Sequence, residues 1–183
     1  MPYTIDAAGY VAGVTQISSP NCDARPLGAD GVVELLVIHN ISLPPGEFGG
    51  AGIIDLFTNK LDAAAHPYYT EIAGLRVSAH LLIRRDGQVL QFVSTEQRAW
   101  HAGESNWRGR NRCNDFSIGI ELEGADDRAF EDAQYSSLGE LAQALCERYR
   151  IADIVGHADV APDRKTDPGP RFEWDRLRRL IRR

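Results

Sequence analysis

With 183 residues, 43% apolar and 25% charged, the chain can fill one domain with a full core and needs no second. Its net charge of −6 argues against a nucleic-acid partner, and no run approaches the roughly 18 apolar residues of a membrane span. Cys22, Cys113 and Cys146 are widely spaced without a CxxC pair, and the first residues carry no basic, apolar-cored leader. Together these predict a cytoplasmic protein with reduced thiols and no membrane or nucleic-acid partner.

Residues 1–31 mix glycine, proline and polar residues and read as an irregular arm on a single domain spanning 1–183. Val33 to His39 is nearly all apolar, as a central strand would be, and ends in His39-Asn40. The segment ISLPPGEFGG that follows, with its prolines and glycines, reads as a loop over the strand ends. A short helix is expected from Gly52 to Asn59, then a polar loop carrying His66, then a strand from Val77 to Arg84. Asp86-Gly87 marks a hairpin turn into a strand over Gln88–Val93. After a long polar loop opened by Trp100, Ser117 to Gly124 alternates. Ile118, Ile120 and Leu122 face one way; Gly119, Glu121 and Glu123 face the other. A helix capped by Asp132 runs to about Arg150, with Tyr135, Leu138, Leu141, Ala142, Leu145 and Tyr149 on its inner side. Ile151 to Val155 reads as a buried strand, and Phe172 to Arg183 as a closing helix with Leu177, Leu180 and Ile181 inward. The whole predicts an α/β domain: a mixed central sheet flanked by helices.

The chemistry gathers in GHADVAPDRKTDPGP, Gly156 to Pro170, where Pro162, Pro168 and Pro170 oppose regular structure. His157 stands at a strand mouth, and Lys165 and Asp167 share one side of any extended stretch. His39 also closes a strand before a proline-rich loop. Two imidazoles and one carboxylate with a vacant fourth position is the donor set of catalytic zinc, one ion per chain. Asp159 and Asp163 compete with Asp167 for the third place. His80 and His101 read as packing or substrate-facing residues. Glu121 is the candidate base. The alternative is that Glu121 and Glu123 both face solvent on an open sheet face. Glu123→Gln is expected to leave turnover close to wild type.

The blocks VIHNISLPPGEFGG, AHPYY, LRVSAHLLIRRDG, RAWHAG, CNDFSIGIELEG and GHADVAPDRKTDPGP occur in this order between Val32 and Trp174. They resemble the AmpD-type N-acetylmuramoyl-L-alanine amidases, which share a fold with peptidoglycan recognition proteins. That resemblance implies zinc held by His39, His157 and Asp167, with Glu121 as catalytic acid–base and Lys165 beside the metal. It implies that Asn40, Arg76, Trp100 and Arg112 meet an anhydro-muropeptide, with no obligate protein partner. The reaction implied is hydrolysis of the amide between the lactyl group of (1,6-anhydro-)N-acetylmuramic acid and L-alanine during cell-wall recycling. A non-catalytic peptidoglycan-binding module, a general zinc peptidase and a periplasmic amidase acting on intact wall are the rivals. All five positions hold competent residues, and no HExxH occurs.

Overall fold

A computed structural model describes residues 3–181. The core strand β3, Leu35–Ile41, lies between β9, Ser117–Glu123, and β10, Asp153–Gly156, both parallel to it. Beyond β9 come β4, Leu81–Ile83, then antiparallel β5, Val89–Gln91, then β1, Thr15–Gln16, in a six-stranded mixed sheet. The domain is α/β, as predicted. Leu36, Ile38, Ile118, Ile120 and Leu122 turn one sheet face onto the long helix α3, Asp132–Arg148, burying it completely. Two short helices, α1 at Gly52–Phe57 and α2 at Pro67–Ile72, cover part of the opposite face through Ile53, Phe57 and Tyr69.

Several elements differ from their sequence reading, each for a local reason. The arm is partly ordered into structure. It supplies edge strand β1 and pairs β2, Cys22–Ala24, with β6, Gln97–Ala99, while Val11 is buried. The stretch around His66 is a helix start, because the His66 ring accepts from Tyr68 N–H and Pro67 takes the first helical position. The cap of α3 is Glu131, reciprocally bonded with Gln134, so Asp132 is already helical. The loop after Trp100 holds a small hairpin, β7 at Asn106–Trp107 with β8 at Arg110–Asn111. His157 opens a single helical turn, α4, His157–Val160, which fits ahead of the first proline of the loop. The closing helix α5 is Trp174–Leu180, and Leu180 is 42% exposed rather than inward. Arg182 and Arg183 lie outside the described residues.

Candidate active site

The site is placed by strand register. Gly156 of β10 lies beside Ile38, and His39 lies beside Glu121 across the β3–β9 pair. His157, His39 and Glu121 therefore stand level at the carboxyl ends of three adjacent parallel strands, the usual place for a site in such sheets. His39 is the fifth residue of its strand, not its last. The loop carrying Asp167 is pulled onto this corner by Ala158 N–H, which donates to the Asp167 carbonyl at 2.9 Å. Gly156 must be glycine for this closure, since a β-carbon there would stand 2.7 Å from Pro168 Cδ. Asn40 Nδ2 donates to Pro168 O at 3.1 Å and to Asp126 Oδ1 at 2.7 Å, tying the same loop from its far side.

Three ligand atoms converge. His39 Nδ1 and His157 Nδ1 are 3.0 Å apart, and Asp167 Oδ2 lies 3.2 Å from each. His157 Nε2 sits 3.1 Å from Ala102 O, which can only accept, so its proton is on Nε2 and Nδ1 presents a lone pair. His39 Nε2 is 2.9 Å from His101 Nδ1, and His101 Nε2 is 3.1 Å from Ser117 Oγ. With the proton of His39 directed to His101, its Nδ1 is bare as well. Burial holds His39 down to about 4, against the pull of Asp167, so it is neutral at pH 7. Two lone pairs and a carboxylate oxygen facing one point repel one another unless a cation sits between them. The triangle's sides match the roughly 3.3 Å edge of a tetrahedron with zinc–nitrogen bonds of about 2.0–2.1 Å. The donor set can hold a metal. Asp159 is committed elsewhere, accepting from Gly156 N–H at 2.7 Å, and Asp163 is exposed.

Glu121 stands beside this corner, its Oε1 4.0 Å from His39 Nδ1. It is 8% exposed, and Glu123 1%, so the solvent-facing alternative for this strand does not hold. Burial first, and then the nearby Asp167 charge, push the Glu121 carboxyl well above its ordinary range, while Lys165 opposes them. Its Oε2 is buried with no hydrogen-bond partner. A buried carboxylate oxygen left open toward a cleft is prepared to receive a proton. Asp167 behaves oppositely. Burial would raise it, but the two imidazole Nδ1 atoms at 3.2 Å, which donate to it whenever they carry a proton, prevail and keep it well below the usual carboxylate range.

These groups floor a cleft of about 360 Å³ that also includes Asn40 and Lys165. Its walls are apolar: Leu43 and Pro45 from the loop after β3, Leu56 and Phe57 of α1, and Ile72 and Leu75 about the end of α2. Arg76 is exposed, with its guanidinium turned onto the Gly74 and Leu75 carbonyls. Trp100 Nε1 donates to Asp23, and Arg98 joins Asp23 to Asp115, which pairs with Arg112. Arg112 lines a separate pocket with Pro26 and Phe116. The structure thus brings together His39, Asn40, Glu121, His157, Lys165 and Asp167, with Arg76, Trp100 and Arg112 outside the cleft lining. Sequence reasoning missed the place of His101 between His39 and Ser117. Its signal was Gly119, where a β-carbon would stand 2.4 Å from the His101 ring.

Comparison with known proteins identifies the family. Residues 29–170 match the N-acetylmuramoyl-L-alanine amidase family. The 1,6-anhydro-N-acetylmuramyl-L-alanine amidase AmpD of Escherichia coli K12 is 56% identical over 175 residues, covering 94% of each chain. The Haemophilus influenzae AmpD is 52% identical over 171 residues, 92% of each chain. A crystal structure of an AmpD derivative superposes with a TM-score of 0.93 at 56% identity, covering 97% of this chain and 99% of that one. The E. coli amidase AmiD in complex with anhydro-N-acetylmuramic acid-L-Ala-D-γ-Glu-L-Lys superposes at 0.62 and 29% identity, covering 96% of this chain and 65% of that one.

Proposed function

The chain belongs to the N-acetylmuramoyl-L-alanine amidase family, and on that premise we propose that it is a zinc-dependent hydrolase of the lactyl–L-alanine amide of anhydro-muropeptides in cell-wall recycling. The observation that carries this reading is the convergence of His39 Nδ1, His157 Nδ1 and Asp167 Oδ2 beside the unpartnered Glu121 Oε2. A binding module has no use for a buried carboxylate kept open at the metal corner, so the non-catalytic rival is disfavoured.

His39, His157 and Asp167 would hold one zinc ion per chain, which would supply Lewis acidity at the cleft. Glu121 Oε2 takes a proton from the attacking water and returns it to the departing amine nitrogen of L-alanine. Its buried, unpartnered oxygen is open to carry the proton between the two transfers. Lys165 places its ammonium at the cleft, where negative charge grows on the carbonyl oxygen. Asn40 holds the Asp167 loop and lines the cleft that would receive the substrate. Arg76 at the rim, and Arg112 with Trp100 on their shared network, are assigned to the peptide stem, whose carboxylates suit guanidinium groups. The free thiols Cys22 and Cys113 suit a cytoplasmic setting. Among the described residues no helix is long and apolar enough to cross a membrane.

The test is mass spectrometry of 1,6-anhydro-N-acetylmuramoyl peptides incubated with zinc-loaded protein, with intact peptidoglycan in parallel. Release of free stem peptide from the anhydro substrate, much faster than from intact wall, is the expected result. Equal rates on both would move the protein to wall degradation; no cleavage of either would return it to the binding reading.

A further inference from the structure

Glu123 lies two residues beyond Glu121 on the same face of β9, yet its carboxylate is saturated. Its Oε1 accepts from Arg84 Nη1 at 2.7 Å and from Gly49 N–H at 2.7 Å, and its Oε2 accepts from Arg85 N–H at 3.2 Å. Arg84 Nη2 in turn donates to Gly50 O at 2.9 Å. Both members of this ion pair therefore reach out of the sheet to one place, the Gly49–Gly50 backbone. That segment is the return leg of the ten-residue loop, 42–51, between β3 and α1. The outgoing leg forms a wall of the cleft through Ser42, Leu43 and Pro45. Inside the loop, Ser42 Oγ receives Gly46 N–H and Pro44 O receives Glu47 N–H, both short-range ties. A glycine-rich leg with such ties needs an outside anchor to keep a fixed position.

We propose that the Glu123–Arg84 ion pair is a positioning latch for the 42–51 loop, fixing the cleft wall against Glu121 and thereby setting how tightly the muramoyl peptide is held. This rests on the amidase reading for its substrate, while the latch itself concerns the loop. The geometry also explains why a charge pair stands here instead of apolar side chains. The carboxylate takes a backbone donor and the guanidinium a backbone acceptor from one dipeptide, so the latch has polarity and register. Because Glu121 and Glu123 share one rigid strand, the loop is referenced to the residue that moves the proton.

The test is the variant Glu123→Gln, measured for KM, kcat, zinc content and hydrogen exchange at the amides of residues 46–51. Gln keeps the shape but removes the charge that pairs with Arg84, and its –NH2 must oppose either the Arg85 N–H or the Arg84 and Gly49 donors. The latch predicts KM raised by about tenfold, with kcat and zinc close to wild type, and faster exchange confined to the loop. General destabilisation would instead lower the active fraction, reducing apparent kcat with KM constant. A second variant, Glu123→Leu with Arg84→Met, restores a neutral, filled interior. It should recover thermal stability while KM and loop exchange stay high. Unchanged loop exchange in Glu123→Gln, or a double variant that recovers wild-type KM, would overturn the proposal. If wild type fails to cleave the anhydro substrate, the amidase reading fails, and loop exchange alone still decides the latch.

Discussion

Two polar regions lie along β9, each containing buried histidine and arranged to opposite ends. At the corner, His39, His157 and Asp167 aim acceptor atoms at a common point, and Glu121 Oε2 has no partner. Beneath it, His80 and Arg25 spend nearly everything they have. His80 Nδ1 accepts from Gly119 N–H at 3.0 Å, so its other nitrogen donates to Gln97 O, also at 3.0 Å. Arg25 donates to the carbonyls of Asn114, Asp115, Thr95 and Ser117, leaving only Nε unpartnered. His101 stands between, joined to His39 and to Ser117. Burial alone therefore does not mark function. What separates the regions is whether lone pairs are consumed by the fold or left for a visitor.

The comparison breaks most visibly at the ligands. His39→Ala, His157→Ala and Asp167→Ala should each reduce zinc from about one per chain to a small fraction and abolish amide hydrolysis. Asp163→Ala, exposed and outside the triangle, should keep both. Elemental analysis of dialysed protein decides it: zinc lost from Asp163→Ala and kept by Asp167→Ala would reassign the third ligand.

Next in size is Glu121. If its open oxygen serves proton transfer and not coordination, Glu121→Gln should retain zinc and product affinity while turnover falls about a hundredfold or more. Lys165→Ala should also lose turnover, since charge on the carbonyl oxygen develops in the transition state. Zinc lost together with activity from Glu121→Gln would make Glu121 a ligand or a prop.

Arg25 sharpens the other side. Arg25→Met removes hydrogen bonds to four buried carbonyls and should cost about 2–4 kcal/mol of stability in urea unfolding. Zinc affinity and turnover per folded molecule should stay near wild type. A selective loss of turnover at full stability would show that the closed column also serves the reaction.

How far the sequence reaches follows the same division. The apolar run of β3 and the alternation of β9 are legible because strand period and burial are local properties. The grouping of His39, His157 and Asp167 is legible as well: both histidines border proline-rich loops, and the family blocks cover them. The register that sets His39 beside Glu121 is not, because pairing is a long-range choice. Nor is the burial of Arg25, an arginine in what reads as a loose arm; its carbonyl partners lie 70 to 92 residues away in the chain. Glu123 reads as a bystander, since the loop backbone that saturates it comes from another part of the chain. The helix at Pro67–Ile72 is hidden by a proline that starts it.

A further effect, on stability and not on turnover, lies in the pH dependence of the closed column. Burial first, and then the Arg25 charge, lower His80 to about 3 from an ordinary 6.5. Gln97 O opposes the shift only in part, and His39 is the other titratable group acting on it. Between these two values the unfolded chain binds a proton that the folded chain refuses. Stability is therefore lost as pH falls from about 6.5 toward 3, with a limiting slope for one proton of about 1.4 kcal/mol per pH unit. Above pH 6.5 the ring is neutral in both states and contributes no slope. His80→Gln can still accept from Gly119 N–H and donate to Gln97 O, but it cannot titrate. The variant should be modestly less stable at pH 7, yet its stability should fall less steeply between pH 6 and pH 4, read by urea unfolding of metal-free protein. Parallel slopes for the two proteins would place the acid sensitivity on other groups and leave His80 with a packing role alone.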